Sequence, residues 1–298
     1  MRGIPEDRGH LIALMQALLV TFLWSTSYVL VKIGLRGLSP LAFAAYRYII
    51  ASSILLAALS LRGRGVRIAE KKDLPKLLFL GVSGYSVAQG LQFVGLYYLP
   101  VVTVSFLLNF TPIIVLLLSI MFLRTLPVPL QLGGMALSLV GAYLFFLAPL
   151  SGIDLVGVAW TLLSGVGWAA YMISVGELMR GGTLSTSTTT ALSMFFGAVP
   201  LLISAFLVEG LPVVSLWELA IILWLSVINT AVAFSLWNHV LKKVRAFELS
   251  VLQNTMLIQT GILATIFLGE TLTATKIAAM ILVFIGVLLV QAVRPRSS

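Results

Sequence analysis

Between Leu77 and Leu123 the chain reads LLFLGVSGYSVAQGLQFVGLYYLPVVTVSFLLNFTPIIVLLLSIMFL, an apolar stretch broken only at Leu99-Pro100. A helix rises 1.5 Å per residue, so about 20 apolar residues cross a hydrocarbon core of about 30 Å. The stretch is long enough for two such crossings. Proline lacks the amide hydrogen that a continuing helix needs, so the break falls at Pro100. The reading is two spans, 76–98 and 101–123, joined by a tight corner.

The same ruler places spans at 11–33 and 40–61 before this pair. After it come 129–148, 154–175, 186–207, 217–239, 247–268 and 274–293, giving ten. Pro40 opens the second span, and Pro127 and Pro129 separate the fourth from the fifth. The first run, Leu11 to Val31, exceeds a signal-peptide core and lacks a small-x-small cleavage site. Composition agrees: 60% of residues are hydrophobic and 10% charged, far from the roughly one-quarter charged share of soluble domains. The expected solvent is lipid. The net charge of +9 comes from residues scattered between apolar runs, with no groove-sized basic cluster, so no nucleic-acid partner is expected. The chain has no cysteine, which excludes thiolate metal sites and a cysteine nucleophile.

Lysine and arginine are unevenly shared between alternate connections. Fifteen fall on the side of the N-terminus and three on the other, and Arg47 inside a span completes the 19. Short cytoplasmic loops carry the basic excess, so both termini are expected in the cytoplasm. A shift of 145 residues aligns Ser105 with Ser250, Asn109 with Asn254, Phe122-Leu123 with Phe267-Leu268 and Gly141 with Gly286. At an offset one residue shorter, Trp24 and Arg36-Gly37 align with Trp168 and Arg180-Gly181. Each half, 11–148 and 154–293, then holds five spans. Five is odd, so the second half enters the membrane from the opposite side. Inverted repeats of this kind recur in secondary transporters, with the substrate site near the midplane between the halves.

Polar side chains inside lipid are costly and face a cavity or a neighbouring helix. Tyr85, Gln89 and Gln92 recur at helical spacing on one face of the third span. Their counterparts in the eighth are Thr230, Phe234 and Trp237. Such a face suits a site that stacks on an apolar moiety and hydrogen-bonds a polar one; the alternative is hydrogen bonding between helices. Asn109 either caps the carbonyl that Pro112 frees near Leu108 or lines the cavity, and Asn254 holds the matching place. Gln253, Gln259 and Asn229 add polar groups to the same region. Arg47 lies seven residues after Pro40, about 10 Å deep. It either snorkels to the interface or anchors a substrate carboxylate with its planar fork. Trp24 with Tyr28, and Trp168 with Tyr171, sit more than a turn inside the first and sixth spans and are read as cavity lining, the alternative being an interfacial belt or helix packing. Small residues along the fifth and tenth spans suggest close packing, as scaffold or dimer face, so monomer and homodimer both stay open.

No carboxylate lies mid-span, and His10 and His239 cannot form a metal site without an acid between them. Gly165-Val166-Gly167 lacks the third glycine of a dinucleotide loop. No nucleophile, base and orienting group cluster. No cofactor, metal or catalytic set is therefore expected.

Leu23-Trp24-Ser25-Thr26-Ser27-Tyr28, then Gly34-Leu35-Arg36-Gly37-Leu38-Ser39-Pro40 and Tyr46-Arg47-Tyr48, resemble the opening of EamA-like members of the drug/metabolite transporter superfamily. Leu268-Gly269-Glu270-Thr271-Leu272, with Gly286 downstream, is similar to that family's closing motif. Thr125 stands in the first unit where Glu270 stands in the second, which makes Glu270 a helix-end residue rather than a catalytic one. The resemblance implies ten helices around a central cavity in a prokaryotic plasma membrane. It also implies export of amino acids or other small metabolites by alternating access. A flippase for a lipid or lipid-linked sugar is the alternative, and a polytopic membrane enzyme a weaker one.

Overall fold

The computed structural model describes residues 5–61, 73–123, 128–147, 154–180, 184–244, 249, 252–253 and 255–291. Among them every regular element is a helix. We number these α1 (Pro5–Gly34), α2 (Pro40–Leu61), α3 (Leu74–Tyr98), α4 (Val101–Leu108 and Thr111–Leu123) and α5 (Pro129–Leu147). The second half supplies α6 (Leu155–Arg180), α7 (Thr186–Val208), α8 (Leu216–Val240), α9 (Thr255–Leu268) and α10 (Ala274–Gln291). Six of these, α1 to α3 and α6 to α8, are long and apolar enough to cross a membrane; α4, α5, α9 and α10 are shorter apolar helices. Large apolar side chains such as Leu207, Leu216 and Phe206 stand exposed on the outer surface, as a lipid solvent requires. The protein is a multi-pass membrane protein.

Two departures from regular helix position the interior. Within α3, residues Val82–Gly90 wind as π-helix, and within α8 so do Val227–Val232. The two stretches begin 145 residues apart, the offset of the internal repeat. π-helical turns in otherwise α-helical segments frequently mark functional sites. In α4 the break is at Asn109 and Phe110. Pro112 cannot donate to the carbonyl of Leu108, and the hydroxyl of Thr111 takes that carbonyl instead at 2.6 Å.

Glycines allow the helices to cross backbone to backbone. A Cβ on Gly81 of α3 would lie 2.6 Å from the carbonyl oxygen of Ser193 and 2.7 Å from the amide of Gly197, both on α7. A Cβ on Gly167 of α6 would lie 2.9 Å from the carbonyl oxygen of Ser83 on α3. α5 packs along α10. There a Cβ on Gly286 would lie 2.5 Å from the carbonyl oxygen of Gly134, and one on Gly141 would lie 2.9 Å from that of Ala279.

One end of the bundle is strapped by carboxylates. Glu209, after α7, accepts from the amides of Leu41 (3.2 Å) and Ala42 (3.0 Å) at the start of α2. Glu270, after α9, accepts from Val101 (2.7 Å) and Val102 (3.0 Å) at the start of α4. A helix N-terminus leaves such amides unpaired and carries positive partial charge, so a carboxylate answers both needs. Glu270 is thus the helix-end residue expected from sequence, capping a helix of the other repeat. At the same end Lys32 donates to the carbonyl oxygens of Leu96 (2.6 Å) and Leu99 (2.9 Å), tying α1 to the α3–α4 corner.

Candidate functional site

A cavity opens between the helices of the two halves. Its wall comprises Trp24, Ser27, Tyr28 and Val31 of α1, Arg47 of α2, and Gln89, Gln92, Phe93 and Leu96 of α3. Ser105, Leu108, Asn109 and Thr111 of α4, Ser164 and Trp168 of α6, and Gln253 and Met256 complete it. The room for water-sized molecules is about 50 Å³, enough for a few waters and less than a ligand pocket usually holds.

Arg47 does not snorkel. It is 3% exposed, and its guanidinium donates to Thr230 Oγ1 (2.6 Å), Ser27 Oγ (2.8 Å) and the carbonyl oxygen of Asn229 (3.3 Å). Its own carbonyl accepts from Ser226 Oγ (3.0 Å). The head lies 5.4 Å and 5.8 Å from the ring centres of Tyr48 and Phe93. Every partner is neutral, and among the described residues no carboxylate lines the cavity. Guanidinium has five N–H donors; three are used, so two have no acceptor among the described residues.

The amides are held by aromatic neighbours. Tyr48 donates to Gln89 Oε1 at 2.8 Å, and Trp168 donates through Nε1 to Gln253 Oε1 at 2.8 Å. Gln92 stands with Tyr28 on the cavity wall. Asn109 turns its amide nitrogen back to the carbonyl oxygen of Ser105 at 2.7 Å, and its Oδ1 is buried without a partner. Because Thr111 already serves Leu108, Asn109 is a cavity residue rather than the cap of that carbonyl.

Beneath the cavity lies a layer of rings. Trp24 and Trp168, repeat counterparts, meet edge to face with centroids 5.5 Å apart. Trp24 also contacts Phe234 (5.1 Å) and Trp237 (4.9 Å). Tyr85 packs on Tyr48, Tyr171 and Phe234. The hydroxyls of Tyr85 and Tyr171 are 3.0 Å apart, and Asn238 bridges Tyr171 (2.8 Å) to Thr190 (2.9 Å). Thr190 lies near the start of α7 and Asn238 near the end of α8, so this layer closes the bundle opposite the strapped end.

Of the residues singled out from sequence, Trp24, Tyr28, Arg47, Gln89, Gln92, Asn109 and Trp168 line one cavity. Tyr85, Tyr171, Phe234 and Trp237 form the ring layer under it, and Thr230 is buried beside Arg47 as its acceptor. Asn254 lies outside the described residues. Contributors that were not singled out include Ser27, Tyr48 and Ser164. Ser27 adjoins Tyr28 in the chain, Tyr48 adjoins Arg47 in the Tyr-Arg-Tyr motif, and Ser164 lies one turn before Trp168. Adjacency to a chosen residue was the available signal.

A helical membrane bundle with a cavity between its repeats is the architecture of a carrier. The chain matches the model of the EamA-like transporter family twice, over residues 11–147 and 155–292, and belongs to that family. Relatives include an uncharacterized transporter of Archaeoglobus fulgidus, 29% identical over 92% of this chain and 96% of its own length. A protein of Salmonella typhimurium named "Probable amino-acid metabolite efflux pump" is 25% identical over 91% of each chain. An S-adenosylmethionine/S-adenosylhomocysteine transporter of Chlamydia trachomatis is 28% identical over 66% of this chain and 63% of its own. A crystal structure with 18% identity superposes with a TM-score of 0.74, covering 94% of this chain and 96% of that one, and shows the same fold.

Proposed function

We propose that this protein is a secondary carrier that exports a small carboxylate-bearing metabolite, an amino acid or close derivative, by alternating access. Ten spans in two inverted repeats form it, with both termini in the cytoplasm of a prokaryotic plasma membrane. The central cavity is its binding site. The observation that carries the reading is Arg47: a buried cation on the cavity wall, hydrogen-bonded only to neutral groups and with donors to spare. Burying a charge without a counter-ion is costly, and an incoming carboxylate supplies that counter-ion through a charge-assisted, bidentate pair. The relative named for amino-acid metabolite efflux supports the substrate class. A flippase needs a lateral opening and a cationic path for a phosphate head. A peripheral cavity beside the α1–α2 corner carries Arg36, but the central cavity holds Arg47 as its one charge among the described residues, which favours a small solute.

The test compares acid and ester forms of one metabolite in proteoliposomes. Arg47→Ala should weaken competition by the acid roughly ten- to a hundredfold, the loss of one charge-assisted bond of about 1.5–3 kcal/mol, and leave the ester nearly unchanged. Equal loss for both forms assigns Arg47 to structure and removes the reading.

A further inference from the structure

The hydrogen-bonding capacity of the cavity is lopsided. Trp168 can only donate, because the indole nitrogen has no acceptor lone pair. Its bond to Gln253 Oε1 therefore fixes the amide: a turned Gln253 would set N–H against N–H. With its oxygen held, Gln253 has only its NH2 to offer the cavity it lines. Gln89 is arranged in the same sense, its oxygen held by the Tyr48 hydroxyl. Arg47 adds two unused N–H groups to these. Against these donors stand Asn109 Oδ1, buried without a partner, and the amide of Gln92, also on the wall.

A free amino acid fits this set poorly. Its carboxylate suits Arg47, but its ammonium group brings three donors to a wall that already donates. Asn109 Oδ1 can take one and the amide oxygen of Gln92 another. The described residues offer no carboxylate to the third, and Arg47 repels the charge. The aromatic faces are partly spent, Trp168 being stacked on Tyr171 at 5.2 Å and 18° and Trp24 packed among Trp168, Phe234 and Trp237.

Resting on the carrier reading above, we propose that the cavity selects carboxylic acids whose second polar group is a carbonyl acceptor rather than an ammonium, N-acylated amino acids being the simplest case. The carboxylate meets Arg47, the acyl carbonyl accepts from the NH2 of Gln253 or Gln89, and the amide N–H donates to Asn109 Oδ1. Gln253 is the specificity-determining residue.

The test uses full-length protein in detergent and two probe series, from phenylalanine and from leucine. Each series holds the free amino acid, its N-acetyl derivative and its methyl ester, and affinity is read from the ligand-dependent shift in melting temperature. The N-acetyl acid should bind at least tenfold more tightly than the free amino acid, and the ester most weakly. Gln253→Glu keeps an oxygen for the Trp168 N–H and turns the cavity-facing donor into an anion. It should invert the first ratio, with the free amino acid gaining, while the unliganded melting temperature reports that the fold is kept. If free amino acids bind as tightly as their N-acetyl forms, and Arg47→Ala weakens both, the selectivity proposal falls and the carrier reading stands. If the esters bind best, or no probe in either series binds, both fall. If Gln253→Glu folds and leaves the ratio unchanged, Gln253 is not the determinant and the proposal is overturned.

Discussion

Arg47 is fixed by Ser27, Thr230 and the carbonyl of Asn229, which come from α1 and α8. One side chain on α2 thus ties both repeats to the cavity wall. Lysine keeps the charge but has no planar fork, so Arg47→Lys should retain at most a tenth of the affinity for acid probes, read by the same melting shift. Gln89 offers a complementary test. Gln89→Leu removes a cavity donor and one bond to Tyr48, so transport should fall while stability drops by no more than about 1 kcal/mol. Intact transport with a larger loss of stability would make Gln89 interhelical glue. Residue type and spacing were enough to find these two side chains and most of the wall. They could not choose between the two uses of Asn109, because the deciding group is the hydroxyl of Thr111, free to rotate onto the carbonyl of Leu108.

The elements explain what residue spacing missed. Tyr85, Gln89 and Gln92 share a face when α3 is counted as a regular helix. The π-helical turn across Val82–Gly90 adds a residue to the repeat, and Tyr85 lies under the cavity while the glutamines line it. Local composition carries no clear mark of that turn, which is held by contacts from α6 and α7. Ser86 Oγ donates to the carbonyl of Gly197 at 2.6 Å, and Ser164 Oγ donates to that of Ala88. Cysteines at 89 and 92 should therefore be water-accessible and protected by ligand, and one at 85 should be unreactive. Leu91 and Val94 line the peripheral cavity instead, so cysteines there can react but should show no ligand protection. The straps belong to this scale too. Glu270→Ala leaves the amides of Val101 and Val102 without their carboxylate, and should cost about 1–2 kcal/mol of stability in thermal or denaturant unfolding.

Across the molecule, the two ends are closed by different physics. Carboxylates bind helix N-termini at one end, and rings with a buried hydroxyl–amide network fill the other. The inverted-repeat reading places the strapped end outside the cell. A single cysteine replacing Val213, which is 97% exposed, should then react with impermeant reagents only from outside, and one replacing Lys243 only from the cytoplasm. Opposite labelling at either position removes the inversion. The repeat itself was readable from matched polar residues, because they are written along the chain, and the family model matches it twice. The ring layer was not, because Trp24, Trp168 and Trp237 meet only after helices from both halves are assembled.

The glycine contacts between α5 and α10 carry a mechanical consequence. One helix comes from each half, and their backbones touch where Gly286 meets Gly134 and Gly141 meets Ala279. Surfaces this close cannot slide past one another without steric collision, so on the carrier reading the pair is expected to act as a spine about which the halves pivot. Spin labels at Tyr143 and Ile281, both exposed, should report a single interspin distance with or without ligand. Labels spanning α3 and α8 should report two.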